Sequence, residues 1–248
     1  TADVTFNGYM QGVQFTPVVS AYLMDLAKNG RSAAGLSGAT VFIWNTSRGF
    51  EVLPPELTAN NSSMTRNAQW MTVQADPNGN GISQAALRSS NGRVVSLGDL
   101  NGDTCGGSSE YGSASSYGWA VDDTGRTAVG TAYVDRDGDG YCEGSYPGEV
   151  VPFIRDAKRG MRQPDTSSLS MADLPWVRAH AISGNGEVVL GTSNFQYVYA
   201  WVRDGKAIGL TAKYGAASAS AASFDGHRVA LSLSDPNTYQ GKGVALWD

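Results

Sequence analysis

Histidine and cysteine are nearly missing from this sequence, and with them goes most soft-ligand and nucleophilic chemistry. Two cysteines and two histidines among 248 residues are too few and too scattered for a zinc cluster. His180 falls in a short apolar stretch and His227 directly follows a turn, so both read as packing or surface residues. No Gly-x-Ser-x-Gly elbow occurs, and no glycine-rich loop opens a helix to hold phosphate. Charge is also sparse: 17% of residues are charged, with a net balance of −5. That leaves no basic patch for nucleic acid. No apolar run is long enough to span a bilayer. No basic segment followed by an apolar one opens the chain, so any signal peptide is expected to have been removed already. Helical periodicity is lacking too, because glycine and serine interrupt every stretch long enough to show it.

What the chain has in quantity is glycine, 31 residues of it, and much of it recurs in one pattern. "LAKNGRSAAG" (26–35), "VDDTGRTAVG" (121–130) and "ISGNGEVVLG" (182–191) share a turn with Asn or Thr before Gly and a closing run that ends on Gly. "MTRNAQWMTV" (64–73) and "ASFDGHRVAL" (222–231) fit the same frame with weaker endings. Asn-Gly and Asp-Gly are tight-hairpin signals, since both central residues of such a turn favour positive φ. A second column follows each turn: "FIWN" (42–45), "ALRS" (86–89), "FIRD" (153–156), "WVRD" (201–204) and "ALWD" (245–248). Its second position is aliphatic throughout (Ile43, Leu87, Ile154, Val202, Leu246), and its third is Trp or Arg. A further strand after a glycine turn is clear in "GFEVLP", "GRVVSLG" and "GKAIGL".

Five copies of a unit of three or four strands predict an all-β protein, a β-propeller of five four-stranded blades in one domain spanning residues 1–248. The last unit stops at its third strand, whereas strand-like "DVTF" and "FTPVV" precede the first. An N-terminal strand completing the last blade would close the ring and remove an exposed edge. Six blades, a solenoid and a sandwich are the structural alternatives. Trp70, Trp119, Trp176 and Trp201 are expected between blades, and Asp25, Asp122 and Asp123 are the acids expected to face a central channel.

Two insertions interrupt the repeat, at about 99–117 and 134–148. Each holds one cysteine, Cys105 or Cys142, in a polar glycine-rich loop. A disulfide between them is the favoured reading and implies an oxidising compartment. In the second insertion, "VDRDGDGYCEGS" places Asp135, Asp137 and Asp139 at alternate positions and Glu143 four residues further on. Four carboxylates so close together repel one another unless a cation neutralises them, and hard oxygen donors with flexible geometry suit Ca2+. "DLNGDTCGGSSE" is a fainter echo, with Asp99, Asn101, Asp103 and Glu110 in calcium-loop spacing. Thr104 occupies its glycine position, however, and a plain loop is preferred there over a second metal site.

The stretch "HAISGNGEVVLGTSNFQYVYAWVRDGKAIGL" (180–210) resembles the HAF-type repeats of bacterial secreted proteins. So does "VVSLGDL" leading through Gly106 and Gly107 into "GWAVDDTGRTAVG". The resemblance covers roughly residues 20–248 and implies a secreted or surface propeller, without a catalytic residue set to carry across. Residues 135–143 also look like the hairpin calcium loops of integrin-type propellers, which implies a carbonyl ligand from Tyr141 beside the four carboxylates. The expectation is therefore an extracellular, calcium-stabilised propeller that binds, adheres or assembles, with a protein or glycan ligand or a second copy as partner. An extracellular carbohydrate-active enzyme, glycosidase or lyase, on the same scaffold is the alternative.

Overall fold

A computed structural model describes residues 21–37, 40–59, 62–100, 115–135, 150–169, 177–193, 197–211, 217–234 and 241–247. The chain forms five small antiparallel sheets arranged as a five-bladed β-propeller. Blade I contains β1 (Ala21–Leu26), β2 (Ser32–Ser37), β3 (Thr40–Asn45) and β4 (Gly49–Val52). Blade II contains β5 (Trp70–Ala75), β6 (Gln84–Ser89) and β7 (Val94–Gly98). An inner segment pairs with β5 through Thr58–Gln74 and Met64–Met71. Blade III is β8 (Ser116–Val121), β9 (Thr127–Tyr133), β10 (Val150–Asp156) and β11 (Gly160–Arg162). Blade IV is β12 (Arg178–Ile182), β13 (Val188–Ser193), β14 (Tyr197–Val202) and β15 (Ile208–Gly209). Blade V is β16 (Ala217–Ala222), β17 (Val229–Ser234) and β18 (Gly241–Trp247). The N-terminal strand expected to complete blade V lies outside the described residues, as does Trp176.

The five turns between first and second strands are the repeat made visible. In each, the amide of the fourth residue donates to the carbonyl three back: Gly30 to Ala27, Ala68 to Thr65, Gly125 to Asp122, Gly186 to Ser183 and Gly226 to Ser223. Only that fourth residue has positive φ, between 56° and 78° across the five turns. These are four-residue loops built on a type I turn, not the tight two-residue hairpins that the Asn-Gly pairs suggest. The reason lies in the side chains. A Ser or Thr at the first position donates to an Asn or Asp at the third (Ser183 to Asn185, Ser223 to Asp225, Thr65 to Asn67). The third side chain accepts the amide two residues on, as Asn185 does from Glu187. Such local bonds hold the third residue at negative φ. Blade III swaps the two roles, with Asp122 first and Thr124 third.

The glycine that closes three of the repeats has a packing cause. Gly35, Gly130 and Gly191 lie opposite Phe42, Phe153 and Tyr199. A Cβ on Gly35 would sit 2.1 Å from the Phe42 ring, and one on Gly191 would sit 2.6 Å from Trp201. In the two blades without that glycine, Val73 faces Ala86 and Leu231 faces Ala245. Each pair fills one space, either glycine with an aromatic or an aliphatic residue with alanine. At close to crystal density, enlarging one member of a pair requires the other to shrink.

Register also corrects the second column. Counted from the turn, Ile43, Leu87, Ile154 and Leu246 share a position with Ala200, not Val202. The fourth unit is therefore "YAWV", and Trp201 joins Trp44 and Trp247. Arg203 and Asp204 leave the strand altogether and form the β14–β15 turn, with φ of 50° and 62°. The Arg-Asp pair had matched Arg155-Asp156, which does end a strand.

Four seams between blades are apolar. Ile43 and Val41 pack with Met64, Met71 and Val73 between blades I and II. Leu87 and Leu97 meet Phe153 and Val151 between II and III. Val129 and Ile154 meet Val189 and Trp201 between III and IV. Leu190 and Val198 meet Val229 and Leu231 between IV and V. Full burial of each large side chain contributes roughly 1.5–3 kcal/mol. Among the described residues no such cluster joins blade V to blade I.

Ala68 alone holds the left-handed turn position without being glycine. That conformation costs an L-residue about 1–2 kcal/mol, against about 0.5–1 kcal/mol for the extra freedom of glycine when unfolded. Ala68→Gly is expected to raise the melting temperature by about 1–3 °C. Gly125→Ala is expected to lower it, because its Cβ would stand 2.5 Å from the Trp70 ring. Thermal melts of the two variants beside the parent check both signs.

Candidate functional site: the central channel

Where the five inner strands converge they enclose a cavity of about 490 Å³, walled by residues from every blade. A shared irregularity shapes its wall. The first strands of blades I, III, IV and V each bulge by one residue, at Met24, Trp119, His180 and Ser220. A bulge turns one extra side chain out of the pleat. Here it delivers Met24, Trp119 and His180 to the cavity, and Ser62 joins them from blade II. Trp119 is thus a channel residue, not the inter-blade residue expected from its apolar strand, whereas Trp201 is fully buried between blades as expected.

Trp119 and His180 form a unit. Their rings stand 5.5 Å apart, edge to face. The indole N–H donates to Thr131 at 2.9 Å, and the His180 Nε2 shares a short hydrogen bond with the Thr192 hydroxyl. Burial, aided by the positive charge of Arg178, lowers the His180 pKa to about 4. The imidazole is therefore neutral at physiological pH.

Of the three acids expected at the channel, two line it. Asp25 lies in the wall, its carboxylate accepting the amides of Leu26 (2.8 Å) and Met64 (2.6 Å). Burial raises its pKa against the pull of those two amides and of Lys28. Asp123 lies at the end of the cavity nearest the turns, its side chain only 7% exposed. It binds Lys28 of blade I (2.9 Å) and Arg66 of blade II (3.1 Å). Its amide donates to the Gly184 carbonyl of blade IV, and Arg66 in turn covers the Phe224 ring of blade V. Asp122 does not reach the channel. It is buried, and its carboxylate accepts the amides of Thr124 and Arg126 within its own turn. A one-residue step along the turn separates the two roles.

The two insertions emerge at the opposite end of the blades. Strands alternate in direction, so the ends of β7 and β9, and the start of β8, lie away from the Asp123 end. The Tyr133 amide donates to the Ser115 carbonyl at 3.0 Å, so the roots of the two insertions touch. Cys105, Cys142, Asp137, Asp139, Tyr141, Glu143, Asn101, Asp103 and Glu110 lie outside the described residues. Asp99 accepts from Gln84 at 3.5 Å, and Asp135 stands at the start of the second insertion.

No family model and no curated protein matches the sequence. Solved structures match in fold. A protein described as TolB from Agrobacterium tumefaciens aligns with a TM-score of 0.58 at 12% identity, over 91% of this chain and 73% of that one. TolB from Acinetobacter baumannii aligns with a TM-score of 0.53 at 16% identity, over 92% of this chain and 49% of that one. The β-propeller domain of Cps50 (Swd1) from Myceliophteria thermophila gives 0.53 at 11% identity, over 94% of this chain and 66% of its own. The class is thus β-propeller, and the likeness is one of fold. Among the described residues no helix is long and apolar enough to cross a membrane.

The His180 shift makes stability depend on pH. Between pH 6.5 and about 4 the unfolded imidazole binds a proton that the folded one refuses, so stability falls as pH drops through that window. The effect amounts to about 3 kcal/mol across the whole interval. Urea unfolding from pH 7 to 4.5 should show that loss in the parent protein and a shallower one in His180→Gln. Parallel slopes would mean that the imidazole is not held neutral.

Proposed function

We propose that this chain is a secreted or cell-surface, calcium-stabilised propeller that acts as a non-catalytic binding module, with the central channel as its recognition site. The observation that carries this reading is the cavity itself, to which all five blades contribute polar and aromatic groups. Such a concave site with few convergent polar groups is the usual form of a binding site. The carbohydrate-active alternative needs two carboxylates with separate roles. Among the described residues the acids that line the cavity are Asp25 and Asp123, and Asp123 is already held by two cations. The binding reading is therefore preferred.

Secretion, calcium and the disulfide belong together in this proposal. The insertion roots meet at the Ser115–Tyr133 hydrogen bond, which favours a covalent tie between Cys105 and Cys142 further out. Asp135, Asp137, Asp139 and Glu143, with the Tyr141 carbonyl, would hold Ca2+ and brace the second insertion. The ligand is a protein or glycan surface, or another copy of the chain.

Melting in calcium and in EGTA tests the staple, with calcium expected to raise the transition. In Asp137→Ala that rise should vanish while the ring itself stays folded. Unchanged melting in the parent protein would remove calcium from the reading. Incubation with a polysaccharide panel tests the non-catalytic part, since release of new reducing or unsaturated ends would restore the enzymatic alternative.

A further inference from the structure

The repeat frame singles out Asp25. Its equivalents in the other blades are Ser63, Ala120, Ala181 and Ala221, all small and uncharged, so one blade alone brings a carboxylate to that level of the ring. Two backbone amides hold the carboxylate in place, but among the described residues no ion pair reaches it. Lys28, the cation near enough to act on it, is bound to Asp123 at 2.9 Å. A carboxylate partly withdrawn from water in a cavity wall, with no ion pair, is stabilised by an opposite charge placed beside it. The rest of the wall suits one kind of cation. Trp119 has spent its N–H on Thr131, so what it can still offer is π density. His180 is neutral, and Met24 adds a polarisable thioether. Aromatic faces, a thioether and a single carboxylate favour an organic ammonium over a metal ion, which would demand several oxygen donors.

The geometry points to an alkylammonium site in the channel: a primary amine, from a free small molecule or from a lysine side chain of a partner, seated between Asp25 and Trp119. This rests on the channel being the recognition site proposed above. The chain end or side chain carrying the ammonium enters from the insertion face, because Asp123, Lys28, Arg66 and Phe224 are tied together at the other end.

Calorimetric titration, with the Trp119 indole resonance as a local reporter, tests the assignment. Pentane-1,5-diamine and N-acetyl-lysine amide are the two ammonium probes, and 1-butanol, butyrate and a glycan panel are the contrasts. Saturable binding of an ammonium probe that moves the Trp119 resonance is expected, weakened about tenfold or more in Asp25→Asn. Trp119→Leu, measured by calorimetry alone, is expected to weaken it severalfold and covers the case in which Asp25→Asn fails to fold. Binding of the diamine alone supports a small-molecule source, and binding of the lysine amide alone supports a partner side chain. If neither ammonium binds while a glycan or butyrate moves Trp119, the ammonium assignment is overturned and the channel reading stands. If no probe moves Trp119, both are overturned.

Discussion

Every blade here is too small to cover its own faces, and the fold depends on neighbours doing so. A sheet of three or four short strands has two faces and little width, so an isolated blade would leave most of its apolar side chains wet. Stacking the sheets side by side about an axis covers both faces at once. The second and third strands supply the largest pieces. Phe153 and Trp201 are completely buried, and each lies over a glycine on the strand beside it. Turns, bulges and channel all follow from placing those strands at a fixed distance from the axis.

The axis itself is held at one end by a small polar assembly. Asp123 binds two neighbouring blades through their cations and a third through its backbone, and Arg66 reaches the fifth blade through an aromatic ring. Each exposed ion pair contributes little alone, but Asp123 is largely withdrawn from water while its partners remain near the surface. That arrangement strengthens the pairs and leaves the two ends of the channel unlike. One end carries the tied charges, and the roots of the two insertions lie toward the other. The solved structures that align with this chain share its fold.

Much of the architecture could be read from the chain because turn chemistry is local. Glycine at the fourth turn position marks four of the five turns, with Asn or Asp before it in three and Thr124 in blade III, and in blade II Asn67 still stands before Ala68. The signal for four-residue loops is the hydroxyl at the first turn position in three turns (Thr65, Ser183 and Ser223), which binds the side chain at the third. The fourth unit slipped by two residues because Arg203-Asp204 imitates Arg155-Asp156, and a shift of two keeps the same face inward, so alternation gave no warning. The channel was the least legible part. A bulge reverses the parity of a strand without leaving a mark in composition, so Trp119 reads as an inter-blade residue and His180 as a packing or surface one. The acidic loop and the cysteine pair are conspicuous in the chain, and all but Asp135 of the loop, with both cysteines, falls outside the described residues.

The exchange between glycine with an aromatic and an aliphatic residue with alanine has a consequence for how such a chain diversifies. Blades that use different pairs are not interchangeable piece by piece. A second strand with glycine at this position, grafted beside a third strand that offers only alanine, would leave a hole. The opposite graft would force two large groups into one volume. Crossovers that preserve the ring must therefore carry β2 with β3, or their counterparts, as one inherited block. Tolerated breakpoints would then gather in the segments between blades, where no such partnership is cut.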